Sequence, residues 1–352
     1  MEQFIGCDAH KRFSVFVAVN EKGQAGEALR VAHDRQLYRE FLAQLPAHSS
    51  IAVEASGHYS WLVDEMERSG HQPKLCNPFK AKRRMGLTNK TDKLDAKGLA
   101  ILLRNGTLPE VWIPPSELRD QRELLRLRLF LVRLRTRVKN RIHGTLARYN
   151  VQVPGADLFG VEARLQLGAR LPELPKHSHE AIEQELATLD FLEAQIESAE
   201  QRLEEIMIVS AEADLLKTLP CVGRILSMVL MLEIGRVDRF PAAGHLASYA
   251  GLVPRVHSSG GHTRMGQICG YVNRNLKWAF VEAGSLIVLN QRRLAGTHVV
   301  RLYQRIKRSK NHQKAVVAVA RHLAEAAWWV LTKQEVYREP QGSRKALSST
   351  HG

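Results

Sequence analysis

Four carboxylates and one serine are the residues of this chain whose types and settings could do chemistry. Asp8 closes an apolar, β-rich run, Phe4 to Cys7, and Glu54 closes another, Ile51-Ala52-Val53. Asp92 and Asp95 stand three apart in NKTDKLDA, a spacing that puts both on one face of a helix. Carboxylates at strand ends beside such a pair make an oxygen-ligand cup suited to Mg2+. Two such ions, about 4 Å apart, can activate the attacking oxygen and stabilise the leaving one in phosphodiester chemistry. Each acid also has a plain alternative: a turn cap for Asp8, a lysine partner for Glu54, and a solvated first helical turn for Asp92 and Asp95. The serine lies in VHSSGGHTRMGQ, where Ser258 and Ser259 precede Gly260-Gly261 among Arg255, His257, His262 and Arg264. A hydroxyl on a glycine-rich loop approaches a phosphate closely, and adjacent arginines hold the phosphoryl charge. The same composition also suits an ordinary surface loop.

The elements that must position these groups can be read from the pattern. Residues 1 to about 112 alternate strands and helices, an α/β pattern. Phe4 to Cys7 and Ser14 to Val19 read as strands, and Asn20-Glu21-Lys22-Gly23 as a hairpin turn. A helix is predicted over Asp34 to Leu45 on a stripe of Leu37, Phe41 and Leu45, another over Tyr59 to Ser69, and a third from Thr91 to Arg104. Asn77-Pro78 reads as a turn or strand stop, followed by a basic stretch. After Pro114-Pro115 a helix should run from Ser116 to Arg148, with ten Lys or Arg between Arg119 and Arg148 and a stripe at Leu134, Val138, Ile142 and Leu146. Residues 150 to 179 read as a loop-rich connection. Leu189, Leu192, Ile196, Ala199, Leu203 and Ile206 then form a coiled-coil seam, expected to bury against a helix of another subunit. From 213 to 335 the pattern is mostly helical, and Leu219-Pro220-Cys221-Val222-Gly223 reads as the turn of a helix-hairpin-helix.

The chain has 352 residues, 44% hydrophobic and 25% charged, an ordinary globular composition that excludes a mostly disordered protein. Lys and Arg outnumber Asp and Glu by 51 to 36, a surplus of +15 that predicts a polyanionic partner. Glu180 to Glu205 carries nine acids and one Arg, a net of −8, which leaves +23 on the rest. The arginine-rich 119–148 helix therefore has two readings, a face paired with the acidic seam or a phosphate contact. Arg292 to Lys314 has eight Lys or Arg and no acid, so it reads as a nucleic-acid surface. The candidate nucleic-acid contacts are Lys90, Arg126, Arg133, Arg137, Arg255, Arg264, Arg305 and Arg308. Four dispersed cysteines make neither a zinc knuckle nor a disulfide framework. With no signal-peptide pattern and no apolar run of about 20 residues, a cytoplasmic protein without membrane contact is expected.

In order along the chain, Asp8 in GCDAHK, Glu54 in VEASGHY, NKTDKLDA, LPCVG and YAGLVPRVHSSGG together resemble one bacterial insertion-sequence transposase family. Its members have an N-terminal DEDD domain and a C-terminal serine domain, and are also described as bridge-RNA-guided recombinases. The resemblance runs over residues 1 to about 335. It implies an RNase-H-like domain at 1–112, similar to Holliday-junction resolvases, with Asp8, Glu54, Asp92 and Asp95 on Mg2+. It further implies a helical linker and coiled coil at 113–212, a mainly α serine transposase domain at 213–337 and a disordered tail at 338–352. Ser259 would be the nucleophile, in a composite site drawn from different subunits of a dimer or tetramer. Donor and target DNA would be cut and rejoined through a covalent serine intermediate, guided by a noncoding RNA. Where many members carry a Ser-Lys pair before a Gly-Asn-like turn, this chain has Cys269-Gly270-Tyr271-Val272-Asn273, with Asn273 and Arg274 as possible DNA contacts. A metal-only structure-specific nuclease and a non-catalytic nucleic-acid-binding protein of the same fold are the alternatives.

Overall fold

Successive residues of the first strand bury on opposite sides of one sheet, so the opening run is apolar at nearly every position. The computed structural model describes residues 3–86, 91–154, 157–207, 210–259, 262–268 and 272–340. By its contacts the chain divides into two compact units, 1–117 and 118–352.

The first unit runs β1 (Gln3–Ala9), β2 (Phe13–Asn20), β3 (Ala25–Ala32), α1 (Arg35–Ala43), β4 (Ser50–Glu54), α2 (Tyr59–Arg68), β5 (Gln72–Cys76), α3 (Pro78–Met85) and α4 (Asp92–Arg104). Sheet order is β3-β2-β1-β4-β5; β1, β2 and β3 pair antiparallel, while β4 is parallel to both β1 and β5. This is an RNase-H-like mixed α/β sheet covered on both faces. On one face Ile5, Cys7, Phe16, Ile51 and Val53 pack with Tyr38 and Leu42 of α1 and Leu62 and Met66 of α2. On the other, Val15, Val17 and Val19 meet Ala96 and Ala100 of α4, and Ala52 and Cys76 meet Leu99, Leu102 and Ala81.

Two local expectations are adjusted here, and the expected hairpin turn is found. Of the stripe expected on α1, Phe41 and Leu45 pack against the core, Leu37 is 52% exposed, and the fully buried positions are Tyr38 and Leu42. Asp34 starts the helix, its carboxylate accepting the N–H groups of Gln36 and Leu37. The hairpin turn expected at Asn20–Gly23 is present and joins β2 to antiparallel β3, a mostly exposed strand whose sequence, AGEALRVA, has no clean alternation. Asn77-Pro78 follows the end of β5 at Cys76, as expected of a strand stop, and also starts a helix not expected from the sequence. Asn77 Oδ1 accepts the Lys80 N–H at 3.0 Å, and Pro78 occupies the first turn, where a missing N–H costs nothing.

The second unit opens with α5 (Ser116–Arg148), α6 (Val161–Arg170) and α7 (Lys176–Met207). The segment expected to be loop thus contains α6, a 3-10 turn at Leu171–Glu173 and the first turn of α7. Its prolines mark helix starts and stops, not the absence of helix. The seam on α7 is buried, but its partner is α5 of the same chain, not another subunit. Leu192 and Ile196 pack on Leu131, Ile182 and Leu189 join Ile142 and Leu146, and Leu203 and Met207 join Leu125 and Leu129. Ion pairs run alongside in antiparallel register: Arg128 with Glu200 at 2.6 Å, Arg135 and Lys139 with Glu193 at 3.6 and 3.7 Å, and Arg141 with Glu185. The reading in which the basic helix pairs with the acidic seam is the one observed for these residues.

The chain continues with α8 (Ala211–Lys217), α9 (Arg224–Ile234), α10 (Ala243–Tyr249), β6 (Pro254–Ser259), β7 (His262–Ile268), α11 (Arg274–Leu289), α12 (His298–Ser309) and α13 (His312–Lys333). The turn at Cys221 joins α8 to α9 with its φ at 57°, in the left-handed region. Alanines and branched residues of α13, including Ala315, Val319, Ala320, Leu323 and Ala327, pack into the common core with Leu230, Ile234, Phe280 and Ile287. This unit is mainly helical, with the β6–β7 hairpin as its unanticipated element. Among the described residues no helix is long and apolar enough to cross a membrane. Residues 341–352 of the expected tail lie outside the described residues.

Candidate active site

Strand parity decides which side of β1 carries the chemistry. Ile5 and Cys7 join the cluster with α1 and α2, so Gly6 and Asp8 belong to the α4 face. Gly6 is what lets α4 lie directly on the strand: a Cβ there would come within 1.9 Å of the Ala96 carbonyl oxygen and 2.7 Å of the Ala100 nitrogen. The N-terminus of α4 is fixed by Thr91, whose Oγ1 accepts the Leu94 N–H at 3.2 Å, and Asp92 and Asp95 fall in its first turn. Cys7 pairs with Val53 across the parallel β1–β4 ladder, so Asp8 and Glu54 are the next residues at the same end of adjacent strands. The fold thus gathers strand-end acids and an i, i+3 pair at one end of the sheet.

His10 completes the arrangement and was not singled out from the sequence. Its Nε2 lies 3.2 Å from Asp8 Oδ2 and 3.3 Å from Asp92 Oδ2. Asp8, His10 and Asp92 each offer one ligand atom within 4.8 Å of the others. The available signal was the i, i+2 spacing in GCDAHK, which in extended chain places both residues on one side. The imidazole packs on Phe13, ring centroids 4.6 Å apart.

The Asp8 side chain is 13% exposed and that of Asp92 48%. Burial pushes the Asp8 carboxyl above the ordinary carboxylate range, the His10 charge opposes this, and the Asp95 and Asp92 charges add to it. Among the described residues no Lys or Arg pairs with Asp8, Asp92 or Asp95. Clustered carboxylates with only an imidazole between them fit a divalent cation, and their oxygens suit a hard one.

The predicted serine sits in the other unit. Ser259 ends β6 and pairs in backbone register with His262 of β7, as Ser258 does with Thr263 and His257 with Arg264. Arg255 is also on β6; Gly260, Gly261, Cys269, Gly270 and Tyr271 lie outside the described residues, as does Lys90. Arg305 and Arg308 are exposed on α12, opposite buried Val299, Val300 and Tyr303. Arg133 and Arg137 are exposed on α5, with no ion pair among the described residues.

Two expected nucleic-acid contacts, Arg126, which is 47% exposed, and the partly buried Asn273, bond a buried acid of the same chain. Arg126 is held by Glu233, Nε to Oε1 at 3.2 Å and Nη2 to Oε2 at 3.3 Å. Asn273 caps α11 by accepting the Leu276 N–H, and its Nδ2 donates to Glu233 Oε2 at 2.7 Å. Asn275 donates to the other carboxylate oxygen at 2.9 Å. A buried acid needs such partners, and Glu233 is fully buried, so it recruits residues that the sequence leaves looking available.

A doubly covered RNase-H-like sheet with acids at the ends of its central strands is the architecture of a nucleic-acid strand-cutting domain. Comparison with known families agrees. Residues 5–151 match the IS110-type DEDD transposase model, and residues 213–299 match the model described as "Transposase IS116/IS110/IS902 family". The chain belongs to the IS110 family of transposases, which are DNA strand-transfer enzymes. Similar proteins include a putative transposase, y4pF/y4sB, of Sinorhizobium fredii, 26% identical over 96% of this chain and 86% of its own. The transposase of insertion sequence IS1328 from Yersinia enterocolitica is 26% identical over 95% of this chain and 98% of its own. That of IS1111A from Coxiella burnetii is 25% identical over 96% and 91%.

Proposed function

We propose that this transposase moves its insertion sequence by cutting and rejoining DNA with a carboxylate-held Mg2+ and the Ser259 hydroxyl, guided by a noncoding RNA and acting as a homo-oligomer. The observation that carries the metal half is the meeting of Asp8, His10 and Asp92, with Glu54 beside Asp8 and the Asp95 charge felt at Asp8. Asp8, Glu54, Asp92 and Asp95 would hold the ion, and bound Mg2+ would supply Lewis-acid polarisation of a phosphate oxygen. His10 orients the Asp8 and Asp92 carboxylates, since an imidazole nitrogen is a poorer donor to a hard ion than their oxygens.

The serine half rests on the family match over 213–299 and on the position of Ser259 at the end of β6. The Ser259 Oγ–P bond forms as the bond from phosphorus to one deoxyribose oxygen breaks. The serine proton passes to an imidazole, with His257 and His262 as candidates, and the departing oxygen takes up a proton. Reversal of these steps with a second DNA end rejoins the strand and regenerates the hydroxyl. In this scheme residues 1–112 form the DEDD domain, 113–212 the helical linker and 213–337 the serine domain, with the two catalytic domains drawn from different subunits. Arg133, Arg137, Arg255, Arg264, Arg305, Arg308 and Lys90 are the cations assigned to the nucleic acids in this scheme.

End-labelled DNA separated on a denaturing gel tests this reading. Wild type and Ser258→Ala should give a shifted, protease-sensitive band, and Ser259→Ala should give none. Free ends alone from the wild type would assign the chemistry to a metal-only nuclease, because the carboxylate site lies wholly within the first unit.

A further inference from the structure

The helix α3 has an inner face of Pro78, Ala81 and Met85, of which Ala81 and Met85 join the cluster of Leu99, Leu102 and Leu108. The rest of its surface, taken as the outer face, carries Lys80, Lys82, Arg83 and Arg84, all exposed, together with the half-exposed Phe79 and with no acid in the helix. Arg84 donates to the Thr107 carbonyl and so ties down the C-terminal end. Lys80, Lys82 and Arg83 have no ion-pair partner among the described residues. That sets them apart from Arg126, Arg128, Arg135 and Arg141, whose charges are met by Glu233, Glu200, Glu193 and Glu185. Their position is also specific. Cys76 is the register partner of Glu54, and Asn77, directly after it, caps α3. The helix therefore starts at the end of the sheet where the carboxylates gather.

From these facts we propose that the outer face of α3 binds the phosphate backbone of the DNA strand delivered to the carboxylate site. The proposal rests on that site being where DNA is cut. Eight residues at 1.5 Å rise give a face about 12 Å long, and one duplex strand carries a charge about every 3.4 Å along the axis, so α3 spans about three phosphates. Contacts of this kind hold register on a strand without reading its bases. The free cations also offset the charge of a polyanion that must approach a cluster of acids, which would otherwise repel it.

The test is Lys80→Gln, Lys82→Gln and Arg83→Gln combined in the full chain, with wild-type folding checked by its melting curve. Binding of a labelled DNA duplex of arbitrary sequence is measured against salt in the presence of chelator. The slope of log affinity on log salt should fall by about 2 to 3, at about 0.9 for each lost phosphate contact. With metal present, the DNA concentration for half-maximal cleavage should rise while the rate at saturation stays near wild type. An unchanged slope would overturn the proposal, and so would a loss confined to a structured RNA probe with DNA binding intact. The chelated measurement does not depend on metal chemistry, so failure of the carboxylate reading appears separately, as cleavage retained by Asp95→Asn.

Discussion

Gly6 and Ala96 are in backbone-to-backbone proximity that no side chain can enter: a Cβ on Gly6 would sit 1.9 Å from the Ala96 carbonyl oxygen. This approach sets how far α4 stands from β1, and with it where Asp92 and Asp95 stand relative to Asp8. Gly6→Ala should force α4 outward. A stability loss of about 1 to 3 kcal/mol is expected from overpacking, read from denaturant unfolding. Strand cleavage should fall much further than DNA binding does, because the carboxylate geometry changes and the cationic surfaces of the second unit do not.

Asp8→Asn and Asp95→Asn keep shape and remove one negative charge each. Both should abolish cleavage while DNA binding, measured by gel shift, stays within about threefold of wild type. Excess EDTA should silence the wild type in the same way. Cleavage surviving either treatment would remove the metal from the mechanism.

Because α7 packs on α5 of its own chain, Leu192→Asp with Ile196→Asp should act on the stability of each protomer. Charges placed opposite Leu131 should cost about 4 kcal/mol or more. The lowered melting temperature should not depend on protein concentration. A variant that melts like the wild type but sediments as a smaller species would place the seam between subunits after all.

Glu233 gives a pH prediction. Burial alone would raise its carboxyl, but hydrogen bonds from Asn273 and Asn275 and the Arg126 guanidinium outweigh burial and hold it below the ordinary range. A depressed folded value stabilises fully above the unfolded value of about 4.3 and is lost as pH falls through the folded one. Glu233→Leu removes the carboxylate that Arg126, Asn273 and Asn275 bond and that lies 3.9 Å from the buried Arg122. Although Arg122 keeps its bonds to the main-chain carbonyls of 232 and 233, a loss of about 3 to 5 kcal/mol is expected at pH 7. The gap between wild type and variant should narrow below about pH 4, as followed by urea unfolding across pH.

The site was legible in the sequence to the extent that it is local. Asp8 and Glu54 end apolar strands, and Asp92 and Asp95 share a helical turn, so residue type and spacing place them without tertiary knowledge. His10 escaped because a histidine after a strand has no pattern of its own; its role comes from α4 folding back over β1. The arginines of α5 were legible only as two alternatives, and Arg126 has a partner that neither named. A run of cations looks like a polyanion surface until the chain supplies its own acids, and Glu233 lies 107 residues from Arg126. The helix α3 was missed because Asn77-Pro78 ends one element and starts the next at once, and the short basic helix that follows is held by packing of Ala81 and Met85 on Leu99 and Leu102.

The paired helices α5 and α7 also bear on how such a protein can be resized. Arg128 and Arg135 are seven residues apart and meet Glu200 and Glu193, seven apart in the opposite direction, so apolar seam and charged flank repeat together. Removing the seven residues between these two pairs from each arm would set Arg128 or Arg135 opposite an equivalent glutamate and shorten the pair of helices by about 10 Å. Removing three from each would turn the remaining seam by about 60° and set like charges against apolar residues. The span of this hairpin is therefore adjustable only in whole repeats, which makes it a graduated spacer.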